Sequence, residues 1–199
     1  MRVYYSKAAA FVVGCVSFLS LSNPSLAQSQ VHRAVEAEEK GYKITLALGH
    51  AHIHEGIEDG NEKWLMMPSW AFNADYVINK HWAFGLHNDL ILENFTVEEH
   101  LNNERHTVLE RSRPFATKVV GTYKPGSHLG LMLGVGDEIT KEENLFLSTV
   151  GVDYGVHIHG GWEVVGELTY DVKWKSYDTW VLGFGISKFI GGRHHKHKG

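Results

Sequence analysis

The chain is almost without cysteine. Its one thiol, Cys15, sits in the first apolar run, so the rest of the sequence holds no disulfide framework and no thiolate chemistry. Proline is scarce, at 4 residues. After residue 27 no stretch reaches 18 consecutive apolar residues, which excludes a membrane helix but not crossing strands. Positive charge is not in excess: 19 Lys and Arg against 23 Asp and Glu give a net −4 and no broad basic surface for nucleic acid. A P-loop, GxSxG, CxxC and HExxH are all missing, which removes the commonest nucleotide, acyl-transfer, dithiol and zinc-protease chemistries.

What the chain does have is glycine and aromatics: 21 Gly, 6 Trp, 8 Tyr and 9 Phe in 199 residues, with 43% apolar and 21% charged. That composition suits one β-rich domain. The first 27 residues read as an export signal. Arg2 and Lys7 are the positive start, Ala8 to Leu21 the apolar core, and Ser25-Leu26-Ala27 a small-x-small cleavage site. A competing reading takes Val12-Val13-Gly14-Cys15 as a lipoprotein box with Cys15 lipidated. Residues 28–40 form a polar N-terminal arm, 41–190 the folded domain, and 191–199 a His- and Lys-rich tail.

From Gly41 the sequence alternates apolar and polar residues in segments of strand length. Eight are expected: Gly41–His54, Ser69–Ile78, His81–Glu93, Ser112–Lys124, His128–Glu138, Leu145–Ile158, Trp162–Trp174 and Thr179–Ile190. The connections between them alternate tight and long. Asn79-Lys80, Pro125-Gly126-Ser127 and His159-Gly160-Gly161 are tight, whereas Glu55–Lys63 and Asn94–Arg111 read as long loops. This is the rhythm of an up-and-down barrel in an outer membrane, with short periplasmic turns and longer outer loops.

One face of these segments carries Leu, Val, Ile, Phe, Tyr and Trp; the other carries Gly, Thr, Lys, Asp and Glu. In a water-soluble barrel the apolar face would point inward, and in a lipid-embedded one outward. Recurrent Gly on the polar face, all six Trp near segment ends, and segments of crossing length favour lipid. The polar face then lines a narrow lumen. Its expected network comprises Asp75, Asp89, Glu93, Asp153, Glu163, Glu167 and Asp171 with Lys43, Lys118 and Lys173. Glu138 and Lys124 fall on the same face. Salt bridging among these groups would plug a barrel of this width; a narrow cation path is the sharper alternative, since acids outnumber bases.

With this pattern the chain resembles the small eight-stranded outer-membrane barrels, the class of the OmpA membrane domain and OmpX-like proteins. The resemblance spans Gly41 to about Ile190 and rests on pattern, without a sharp motif. It implies an all-β, antiparallel transmembrane barrel in a Gram-negative outer membrane, with outer-membrane lipids and the barrel-assembly machinery as partners. One departure is that the chain runs past Phe189, the candidate strand-terminal aromatic.

Histidine, at 14 residues, is the one chemical oddity. His50, His52 and His54 alternate at the outer end of the first segment, roughly 7 Å apart from residue to residue on one face. That spacing suits two ligands of a Zn or Cu ion, with a third only if the strand bends. Parity puts His50 on the lipid side unless Gly49 makes a bulge. An enzyme would need a nucleophile beside a base, yet Ser148 and His50 belong to segments that are not neighbours in a simple meander. The expectation is a non-enzymatic barrel of structural or surface-interaction type. A metal-binding barrel and a soluble periplasmic lipid-binding barrel are the alternatives.

Overall fold

The computed structural model describes residues 40–58, 61–99, 107–174 and 176–191. The proposed signal, almost all of the arm and tail, and Cys15 therefore lie outside the described residues. The strands are β1 (Gly41–Glu58), β2 (Asn61–Val77), β3 (Trp82–Ile91), β4 (Phe95–Glu99), β5 (Thr107–Arg111), β6 (Phe115–Tyr123), β7 (Leu129–Ile139), β8 (Leu145–Ile158), β9 (Trp162–Lys173) and β10 (Asp178–Gly191).

Eight of them close a barrel. β1, β2, β3, β6, β7, β8, β9 and β10 pair in order, all antiparallel, and β10 returns to β1 along Gly41–Ile53. The stagger can be read from the registers. Starting at Lys43, paired positions run through Asp75, Gly85, Val120, Gly134, Thr149, Asp171 and Thr179, and the circuit closes on Ile53, ten residues higher on β1. For eight strands that stagger sets a tilt of about 43°. The twelve steps from Trp162 to Trp174 then rise about 29 Å, enough for the apolar band of a barrel in a membrane.

The side-chain alternation resolves which solvent each face meets. Leu46, Leu48, Phe72, Phe84, Leu86, Val119, Leu133, Val164, Leu182, Phe184 and Ile186 are exposed on the outside, while Lys43, Asp75, Asp89, Lys118, Asp153, Glu163, Asp171 and Lys173 are buried inside. In water this would be an inverted protein; in lipid it is the stable arrangement. A soluble lipid-binding barrel needs an apolar interior, so that alternative is ruled out by the polar centre. Asn88 and Thr117 interrupt the outer face, and they satisfy each other: the Thr117 hydroxyl donates to Asn88 at 3.0 Å, and the Asn88 amide donates to the Phe72 carbonyl at 3.0 Å.

Aromatic rings gather at both edges of the band. Tyr42 packs on Tyr76 and Trp82 on Tyr123 at the short-turn end, while Tyr170 packs on Trp180 and Phe146 on Trp174 at the other. The tight turn at Gly160-Gly161 takes positive φ at both residues, 77° and 75°, a conformation open to glycine at no steric cost. Phe189 turns to the inner face beside Gly41 and Gly191, so the outward apolar residue ending β10 is Ile190.

The two expected long loops are different in the structure. Glu55–Lys63 is mostly strand: β1 and β2 continue as a hairpin to Glu58 and Asn61, with a register shift between Ile53 and Gly56. A side chain at Gly56 would meet Leu65 within 2.4 Å, so the bend brings backbone and core together there. Within Asn94–Arg111, β4 and β5 form a second hairpin that bridges to β1 through Gly56 and Val97.

Candidate functional site: the polar lumen and its outer end

Inward-facing side chains meet across the lumen in three tiers. Nearest the short turns, Lys43 Nζ lies 2.8 Å from Glu163 Oε2 and 3.6 Å from Asp153 Oδ2. Just above, the His87 Nε2 and Asp75 Oδ1 atoms are 2.9 Å apart, and the Asn73 amide donates to Glu167 Oε2 at 3.2 Å. In the middle, Lys118, 2% exposed, bridges Asp89 at 2.5 Å and Asp171 at 3.1 Å.

At the outer end Glu138 is the hub. Arg111 donates to it from Nε at 3.0 Å and also from Nη2, Tyr177 donates at 2.5 Å, and Lys173 lies 3.3 Å away. Arg111 also donates to the Glu143 carbonyl at 2.7 Å, and Lys173 donates to the Thr179 hydroxyl at 2.6 Å while sitting 4.4 Å from the Tyr177 ring centre. Burial together with Glu138 pushes the Tyr177 hydroxyl well above its ordinary range. Beside this network lies an apolar core of Ala51, Ile53, Leu65, Ile91, Phe95, Val97, Leu145, Tyr177 and Val181. Phe95 meets Tyr177 edge-on at 5.7 Å, so the β4–β5 hairpin is fastened over this end by its own apolar face.

Of the expected network, Lys43, Asp75, Asp89, Lys118, Asp153, Glu163, Glu167, Asp171 and Lys173 line the lumen. Glu93 does not. β3 ends at Ile91, and Glu93 follows it into the exposed connection to β4, where strand parity no longer holds. Other participants lie outside that expected network: Arg111, in a stretch that reads as a loop; Tyr177, between the segments ending at Trp174 and starting at Thr179; and Asn73, His87 and Thr179 within segments. His87 carried a usable signal, since it shares parity with Gly85 and Asp89.

His50, His52 and His54 all point out of the barrel wall, with the register shift falling between Ile53 and Gly56, around His54, rather than at Gly49. His54 stacks edge-on with Trp64 at 4.9 Å. Among the described residues no three His, Cys, Asp or Glu side chains converge as a metal site. Ser148 accepts from Trp174 Nε1 at 3.1 Å on the outside of β8, with two strands, β9 and β10, between it and His50 on β1.

A closed eight-strand meander with an outward apolar band and a polar, ion-paired interior defines a transmembrane β-barrel of the outer-membrane class. No family of known proteins matches the chain by sequence, and no curated protein does. Solved structures do match in fold. The outer membrane protein OprG of Pseudomonas aeruginosa is similar with a TM-score of 0.50 at 10% identity, over 78% of this chain and 99% of that one. The attachment invasion locus protein Ail of Yersinia pestis gives 0.46 at 12% identity, over 76% and 99%. The N-terminal β-barrel domain of Pseudomonas aeruginosa OprF gives 0.46 at 8%, over 76% and 100%. At such identities the likeness is one of fold.

Proposed function

We propose that this chain is a non-enzymatic outer-membrane barrel whose lumen is plugged by its own ion pairs, and which acts structurally or through the surfaces at its outer end. The observation that carries the reading is Lys118, buried at mid-lumen between two carboxylates on β3 and β9. A side chain spanning from β6 to both of them fills the section through which an ion would have to pass. The apolar core at the outer end supports the same conclusion, because a water-filled mouth would not be lined by Ile53, Val97 and Leu145.

Support for a non-enzymatic role comes from separation in the fold: Ser148 accepts from Trp174, and β9 and β10 stand between it and His50. Surface action is supported by the two hairpins, which carry exposed Trp64, Met66 and Val108 at the end opposite Gly41 and Gly191. The decisive experiment is conductance in planar bilayers of the full chain. No discrete openings are expected from the wild type. A steady, ion-selective conductance from a properly folded barrel overturns the plug.

A further inference from the structure

Above the ends of β6 and β7 an open cleft of about 680 Å³ is lined by Asn94, Ser112, Arg113, Ile139, Thr140 and Lys141. Its wall carries two cations and no carboxylate. Neither Arg113 nor Lys141 has an ion-pair partner among the described residues. Glu142, the acid next to Lys141 in the chain, is taken up by Ser112, whose backbone N–H donates to Oε2 at 3.3 Å and whose hydroxyl donates to Oε1 at 2.6 Å. Arg111 and the Thr140 hydroxyl both donate to the Glu143 carbonyl, at 2.7 and 2.8 Å. These bonds tie residues 111–112 to residues 140–143, so the two walls of the cleft are held in place before a ligand arrives. They also engage both hydroxyls of the wall, which leaves Asn94, Arg113 and Lys141 to meet one.

The backbone adds an independent observation. Arg113 has a φ of 45°, in the left-handed region where glycine is the unstrained residue, and it precedes Pro114, which is fully buried. A long cationic side chain therefore stands where backbone conformation alone favours none.

Depth identifies what the cleft faces. Phe115 and Ile139 pair at the top of β6 and β7, and both are exposed on the lipid side. Eight steps lower, Tyr123 belongs to the aromatic ring at the short-turn end. At a tilt of about 43° those steps rise about 20 Å. The cleft begins just beyond, at the upper margin of an apolar band about 25 Å tall, which is the level of the lipid headgroups. It lies at the end opposite Gly41 and Gly191, in the outer leaflet, where a Gram-negative outer membrane carries phosphorylated glycolipid. Two unpaired cations above exposed apolar side chains match a phosphate above acyl chains. The volume exceeds what a bare phosphate fills, and the Asn94 amide can both donate to and accept from a sugar hydroxyl.

We infer that this cleft binds the phosphorylated sugar head of an outer-leaflet glycolipid, with Arg113 and Lys141 on a phosphate, Asn94 on the sugar, and acyl chains against Ile139 and Phe115. The site is on the outside of the wall, so it stands or fails independently of whether the lumen is plugged.

The test uses the full barrel folded in phosphatidylcholine vesicles, either plain or carrying lipid A or phosphatidylglycerol at matched surface charge. Its thermal unfolding midpoint is read from heat-modifiable gel mobility. Lipid A should give a saturable rise of roughly 4 °C over plain vesicles, and phosphatidylglycerol a clearly smaller one. Arg113→Gly removes the cation and suits the backbone, so it should fold with a midpoint in plain vesicles at or above that of the wild type, yet lose most of the lipid A rise. A residue with only a structural role would not show that split. Should the variant fail to fold, Lys141→Gln, in an exposed connection, should lose most of the rise as well. The proposal is overturned if lipid A gives no rise, or if lipid A and phosphatidylglycerol give equal rises, since membrane charge alone would then be acting. A full lipid A rise in a folded Arg113→Gly or Lys141→Gln barrel would overturn it too.

Discussion

Replacing Lys118 by methionine removes one buried cation and nothing else of comparable volume. In the native barrel its ammonium lies 2.5 Å from Asp89 and 3.1 Å from Asp171, with 2% of the residue exposed. In Lys118→Met, two carboxylates face each other across a narrow lumen with no counter-charge between them. Breaking a buried pair by deleting one partner costs about 3–5 kcal/mol, most of it the stranded charge. Removing the charges together should be far cheaper, so Lys118→Met/Asp89→Asn/Asp171→Asn should recover to within about 1–2 kcal/mol of wild type. Equilibrium urea unfolding in lipid vesicles, followed by Trp fluorescence with folded fractions from gel mobility, measures both differences. The reasoning is refuted if the single variant lies within about 1 kcal/mol of wild type, or if the charge-free triple variant is no more stable than the single one.

Leu133 is 70% exposed on the outer face of β7, so Leu133→Arg should cost about 2–4 kcal/mol in a bilayer, where a soluble surface position would tolerate it; urea unfolding in vesicles reads the difference. A side chain at Gly136 would come within 2.0 Å of the Thr117 carbonyl oxygen, so Gly136→Ala should destabilise by roughly 1–3 kcal/mol, seen as a lowered thermal midpoint. Arg111→Ala cuts the tie between the β4–β5 hairpin and Glu138, so limited proteolysis within residues 95–111 should accelerate while the barrel keeps its folded mobility. Hydrogen bonds from Ser112 hold the Glu142 carboxyl below its ordinary 4.5. This contact is therefore complete above that value and is lost as the pH falls through the lowered one; the protection factor of the Ser112 amide, corrected for the intrinsic pH dependence of exchange, should fall on acidification, and Glu142→Gln should remove the dependence.

The barrel was legible because each crossing strand meets two different solvents. β8 was bounded at Leu145 and Ile158 by reading alone, since lipid on one side and a polar lumen on the other impose strict alternation. That signal vanishes where the strand leaves the membrane. Beyond Gly56 the described residues Glu58, Asn61 and Lys63 are exposed and the sequence has no two-faced pattern, so strand reads like loop. β4 and β5 are five residues each, too short for periodicity to register before the connection between them intervenes. Inside the lumen, parity identified which groups face inward but not which of them meet. Lys43 reaches Asp153 across the barrel from β1 to β8, a pairing set by the ten-residue stagger and by no local feature of either strand. Glu93 failed for the opposite reason: parity was carried past the last ladder residue of β3.

The two ends of the lumen are lined differently, and this asymmetry bears on what the molecule can do. At the outer end, Ile53, Val97 and Leu145 keep water from the network around Glu138, so its hydrogen bonds act in a low-dielectric setting and each lost partner is costly. At the short-turn end Lys43 pairs with Glu163, and the cavity above them is lined by acceptor atoms of Asn73 and Asp153 that have no protein donor. A conduit would need comparable access from both sides and binding weak enough to release. On the reading proposed above, the outer end is covered by a hairpin whose removal would expose core, and Lys118 fills the lumen at mid-height. Flow through the barrel is therefore the use this fold is least suited to, and variation in activity should follow the outer hairpins: swapping residues 95–111 should change what the barrel contacts, whereas neutral repacking of the mid-lumen should change only how firmly it holds together.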